Sequence, residues 1–138
     1  MYVNPPLERP RNSVRLVPTM SQISRGELYW LKSAGARGEA DVAHPYVVVQ
    51  EDVFNRSRIE TVVVCALTSN LKRATEPGNV LLEPGEAGLP KQSVVIVSQI
   101  DSVKKSELGA PIGALSEARI QQILAGLRFQ QRAYFRED

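Results

Sequence analysis

From Arg25 onward, apolar residues come in short runs, GELYWL, PYVVVQ, ETVVVCALT, NVLLE and QSVVIVSQI, separated by polar turns. Runs of this length, dense in Val, Ile and aromatic side chains and bounded by turn formers, predict β-strands. One segment keeps a different period. Ser116 is a candidate N-cap followed by Glu117, and Ile120, Ile123, Leu124 and Leu127 recur at i, i+3, i+4 and i+7. That spacing predicts a single amphipathic helix with one apolar stripe. The pattern therefore predicts an α+β fold that is mainly β: a small antiparallel β-barrel closed by a C-terminal helix.

Residues 1–24 show no such period. They hold Pro5, Pro6, Pro10 and Pro18, four of the nine prolines, and are expected to be an extended or disordered extension preceding one folded domain, residues 25–138. Arg9, Arg11 and Arg15 against Glu8 give this stretch a weak attraction for polyanions. Met20 opens MSQISRGELYW and is a second candidate start.

Composition narrows the chemistry. A chain of 138 residues buries enough surface for one core without a disulfide scaffold. The lone Cys65, inside TVVVCALT, has no charged neighbour in the run to favour its thiolate and is expected to be a small buried strand residue. With no apolar stretch near ~18 residues and no signal core, the protein is expected to be soluble and cytoplasmic. One histidine and one cysteine cannot build a protein-only zinc site, no Gly-rich phosphate loop precedes a lysine, and no Ser-His-Asp spacing stands out. No metal or cofactor is expected. The formal charge of +2 does not by itself point to nucleic acid.

Five motifs in order resemble the MazF/PemK family of toxin endoribonucleases: RGELYW at Arg25–Trp30, HPYVVVQEDVFN, CALTSNLKRA, GLPKQSVVIVSQI and IGALSEARIQQILAGL. The resemblance spans Arg25 to Leu127. It implies a barrel related to the SH3-like fold, a homodimer, and metal-independent cleavage of single-stranded RNA, restrained by a cognate antitoxin whose extended segment covers the RNA site. The apolar run SVVIV is the expected packing surface of the dimer. Three positions depart from the family pattern. His44 stands where the family has arginine, the preceding loop reads Asp41, Val42, Ala43 in place of a glycine, and Asp101 follows the Gln-Ile pair where a basic residue is common.

RNA brings its own nucleophile, the ribose 2′-hydroxyl, so cleavage needs proton transfer and stabilisation of the phosphorane charge and yields a 2′,3′-cyclic phosphate. A permanently charged arginine serves the second need, whereas an imidazole, with a reference pKa of about 6.5, serves the first. If HPYVVVQ and ETVVVCALT form a hairpin centred on Arg56, paired residue numbers sum to 112 and His44 faces Thr68, whose hydroxyl can donate to a phosphate oxygen. A one-residue slip would separate them. The catalytic candidates are His44 and Thr68. Arg25, Lys72, Arg73 and Gln99 are candidate RNA contacts, with Tyr46 or Phe54 as a base platform and Trp30 assigned to the core. The rival reading is a catalytically impaired RNA- or antitoxin-binding homologue, and a gyrase poison on the same fold ranks below both.

Overall fold

The computed structural model describes residues 23–32 and 42–132. The expectations for residues 1–22 and for Asp41 fall outside them. Six strands make one sheet: β1 (Glu27–Lys32), β2 (Ala43–Val48), β3 (Thr61–Thr68), β4 (Val80–Leu81), β5 (Val94–Lys104) and β6 (Pro111–Ala114). Their order is β4-β5-β3-β2-β1-β6, all neighbours antiparallel. The expected strands are present, β5 runs four residues further than the sequence pattern suggested, and β6 is an addition. PIGA carries no strand-like alternation and is held by β1 and by the loop beyond it.

The sheet is a curled half-barrel with β4 and β6 as its edges. The loop from β4 to β5 fills the space between those edges. A Cβ added at Gly113 would overlap the Ala87 carbonyl, and one added at Gly88, where φ is +81°, would lie 2.8 Å from the Ile112 carbonyl oxygen. Glycine is required there because backbone meets backbone. Curvature also comes from β5, where residues 96–99 lie opposite the single residue Ala66: Cys65 pairs with Ile100, and Leu67 with Val95. A bulge of this kind bends the strand and increases its twist.

Both faces of the central strands are buried, which is why their sequences read as continuous apolar runs instead of alternating. Leu28, Val47, Cys65, Leu67 and Val95 point to one side, where helix α2 (Glu117–Gln130) adds Ile123, with Ile120 and Leu127 packed against it. Val48, Val62, Val64 and Ile23 point to the other, against Tyr29, Tyr46, Val103 and Leu108. Ser116 caps α2 by accepting from the Arg119 N–H at 3.2 Å, as expected. Of the predicted apolar stripe, Leu124 stays outside both cores and lines a surface cleft beside Phe129. The run Ser93–Val97 is buried within this one chain, so it offers no open surface and the packing argument for a dimer built on SVVIV does not hold. Among the described residues no helix is long and apolar enough to cross a membrane.

The β2–β3 connection is more ordered than a simple turn. Glu51 caps a short helix, α1 (Asp52–Asn55), by accepting from Val53 N–H at 2.9 Å. Asn55 is fully buried; it donates to the Gln50 carbonyl and to Asp52 Oδ1 and accepts from Gln50 Nε2, each at 2.9 Å. A fully bonded buried amide fixes the path of this loop, and the loop's length then sets the pairing register of the strands it joins.

Candidate active site

That register pairs Tyr46 with Ala66, Val47 with Cys65 and Val48 with Val64. Each pair sums to 112, the expected value. Two residues further, the same register sets His44 opposite Thr68, beyond the last paired residues. Pro45 has no N–H to give, and pairing of β2 with β3 begins only at Tyr46. The strand ends thus stand open as a mouth. A cavity of about 300 Å³ lies there, lined by His44, Thr68, Ser69, Lys91 and Ser93 with Trp30, Pro45, Leu67, Leu89 and Pro90.

Thr68 and Ser93 are held by local bonding. Thr68 Oγ1 accepts from the Asn70 N–H at 3.1 Å, which leaves its own proton for an outside acceptor. Asn70 then caps the 3₁₀ turn Leu71–Thr75 by accepting from Lys72 N–H. On the opposite wall Ser93, almost fully buried, donates its hydroxyl to the Lys91 carbonyl at 2.9 Å. That bond fixes the backbone of Lys91, while its exposed side chain remains at the cavity. His44 is exposed at the mouth.

Lys91 and Trp30 were the residues that sequence reasoning missed. Lys91 stands in the motif GLPKQSVVIVSQI, to which the sequence reading assigned no task. Trp30 shares a face with Leu28 by alternation but is only partly buried and lines the cavity, because the neighbouring β2–β3 pairing stops at Tyr46 and leaves this end of the sheet open.

Other candidates lie elsewhere. The Nε of Arg25 donates to the Val49 carbonyl at 2.9 Å and its N–H to Asp52 Oδ1 at 2.8 Å. Val49 is five residues from His44 along β2, about 16 Å at strand rise, so Arg25 buttresses the far end of the sheet. Arg73 is engaged by Glu76 at 2.6 Å, inside a network in which Asn79 donates to the Arg73 carbonyl and to Glu76. Lys72 is exposed on the 3₁₀ turn that follows Thr68–Asn70 but does not line the cavity. Gln99 is exposed in the bulge of β5. Tyr46 lines a neighbouring groove, and Phe54 on α1 is at the far end with Arg25.

Comparison with known proteins places this cavity in a family context. A sequence model of the PemK-like, MazF-like toxins of type II toxin-antitoxin systems matches residues 24–130. The chain belongs to this family. Among PemK/MazF-type relatives, endoribonuclease MazF6 of Mycobacterium tuberculosis is 36% identical over 107 residues, covering 77% of this chain and 94% of the relative. Endoribonuclease MazF of Staphylococcus epidermidis is 30% identical over 102 residues, 73% of this chain and 84% of the relative. Solved structures agree on the fold. An endoribonuclease in complex with its cognate antitoxin from a mycobacterial species superposes with a TM-score of 0.66 at 24% identity, over 84% of this chain and 99% of that one. The toxin MazF-mt6 of Mycobacterium tuberculosis gives 0.63 at 18% identity, over 77% and 96%. Within the PemK/MazF-like family, this chain presents His44, Thr68 and Lys91 around one cavity.

Proposed function

We propose that this PemK/MazF-like toxin is a metal-independent endoribonuclease that cuts single-stranded RNA at the His44–Thr68–Lys91 cavity. The observation that carries the reading is that a proton carrier, a hydroxyl donor and a cation line one cavity of about 300 Å³ at an open strand end. In this reading the 2′-oxygen attacks phosphorus and its proton passes to His44. The bond to the 5′-oxygen breaks, and that oxygen leaves with a proton from the water at the exposed mouth. Thr68 donates to one non-bridging oxygen and Lys91 stabilises the added negative charge, the task an arginine at position 44 would otherwise perform. The products are a 2′,3′-cyclic phosphate and a 5′-hydroxyl. The endoribonuclease names of relatives sharing 36% and 30% identity support the same assignment.

The cognate antitoxin is the protein partner of this reading, an extended segment laid over the cavity so that RNA is excluded. The working state in the cytoplasm is a homodimer whose contact lies outside Ser93–Val97, and light scattering at micromolar concentration checks it. The activity is tested with purified, antitoxin-free protein and a long single-stranded RNA in EDTA. Cuts at discrete sites ending in cyclic phosphate are expected. Intact RNA that is nonetheless bound would instead establish the chain as an impaired homologue.

A further inference from the structure

A second groove begins where the cavity ends. Trp30 lines both, and Ala43, the residue before His44, lines the groove. Its volume is about 610 Å³, and Lys32, Tyr46, Asp101, Val103 and Glu107 form much of its wall. Tyr46 stands opposite Ala66 and Asp101 opposite Val64, positions two apart on β3, so both side chains rise from the same face of the sheet. Burial first, and the nearby Asp101 charge second, hold the Tyr46 phenol above its ordinary range. One carboxylate oxygen of Asp101 accepts from the Ser102 N–H at 2.8 Å, which fixes its orientation and leaves lone pairs open. Glu107 is held by the Lys104 N–H at 3.1 Å.

From this geometry we infer that the groove is a base-reading subsite, in which Tyr46 is the stacking surface and Asp101 selects guanine beside the scissile phosphate. An ionised carboxylate only accepts hydrogen bonds. Guanine alone among the four bases offers two adjacent donors, N1–H and the 2-amino group, on its Watson–Crick edge. Adenine and cytosine place an acceptor beside their amino group, and uracil flanks N3–H with two carbonyls, so each sets a lone pair against the second carboxylate oxygen. Unstacked single-stranded RNA is read on this edge, with the base on an aromatic ring. A carboxylate next to a phosphate site also repels a strand that brings no compensating donors, which sharpens the choice.

The inference rests on the RNA-cleavage reading, and the test separates the two. Cut sites of the wild type and of Asp101→Asn are mapped on a long RNA of known sequence. In parallel, binding is measured for 2′-O-methyl oligonucleotides, which lack the nucleophile, with each base varied at each position. Wild type is expected to favour guanine at one fixed position near the cut by about tenfold or more, the scale of one bidentate base contact. In Asp101→Asn that preference is expected to fall to about threefold or less, and an unchanged melting temperature for this exposed position shows that the fold is intact. Absence of a guanine preference in both assays, or a preference that survives Asp101→Asn, overturns the inference. Cutting without guanine preference leaves the nuclease standing and removes the subsite. Guanine-selective binding lost in Asp101→Asn, without any cutting, does the reverse.

Discussion

Arg119 on α2 grips both carboxylate oxygens of Glu86, with Nε 2.9 Å from Oε2 and the second guanidinium nitrogen 3.1 Å from Oε1. Glu86 also accepts from the Glu83 N–H at 2.8 Å. The pair ties the helix to the loop that leads through Leu89 and Pro90 to Lys91, so it links the stability of α2 to the wall of the cavity.

The hydrogen bond from Arg119 is the main reason Glu86 is held below the ordinary glutamate range; burial opposes it, and the Glu83 N–H and the Arg119 charge add to it. A depressed carboxylate contributes stability that is complete above its unfolded pKa and is lost as pH falls through the lowered folded value. Glu86→Gln should therefore destabilise the protein at neutral pH by about 1 kcal/mol for this partly exposed pair. Urea melts across pH should show the difference from wild type shrinking as pH drops below the ordinary glutamate range.

His44→Ala should lower cleavage by roughly 10²- to 10⁴-fold while RNA affinity changes little, because the lost function is proton transfer. His44→Arg discriminates more sharply. With Lys91 already supplying charge, the arginine variant should lose activity as well, since it restores electrostatics and removes the proton carrier. Single-turnover kinetics on a short RNA, with filter binding beside it, read both quantities.

Thr68→Val keeps the shape of the strand end and removes the donor. A loss of roughly 10²-fold in kcat is expected. Thr68→Ser retains the hydroxyl and should recover most of it.

Lys91 acts through its charge. Lys91→Ala should weaken both RNA binding and turnover and reduce the salt dependence of binding, whereas Lys91→Gln, similar in length, should be no better. A salt titration of RNA affinity in the two variants measures this, and unchanged slopes would place Lys91 outside the RNA contact.

Gly126 marks where α2 meets the sheet. A methyl group there would overlap the Gly78 carbonyl oxygen and press on Val97 Cγ1 at 3.1 Å. Gly126→Ala should cost about 1–3 kcal/mol even though alanine is the better helix former. A lowered urea midpoint checks it.

Cys65 is completely buried, and burial pushes its thiol up to about 12. The native protein should resist iodoacetamide until it is unfolded.

The sequence by itself determined β1 to β5 and the C-terminal helix with its Ser116 cap, because short apolar runs and helical spacing are local properties of the chain; it offered the hairpin register through Arg56 as one of two, and the buried Asn55 amide decided it. Its order of motifs also pointed to the toxin family and to His44 and Thr68. Which cations reach that mouth was decided by tertiary structure. Arg25 and Arg73 look like phosphate contacts in sequence, yet one is bonded to the Val49 carbonyl at the far end of β2 and the other is paired with Glu76. Lys91, 23 positions beyond Thr68 along the chain, joins the cavity because Thr68 pairs with Val94, close to the loop that carries it. Trp30 follows the alternation of a core residue, but the β2–β3 pairing beside it stops at Tyr46 and opens the cavity, and where neighbouring strands part is set by the curvature of the whole sheet. The bulge opposite Ala66 and the glycine contacts between the β4–β5 loop and β6 create that curvature through contacts between distant segments, which no local pattern of residues encodes.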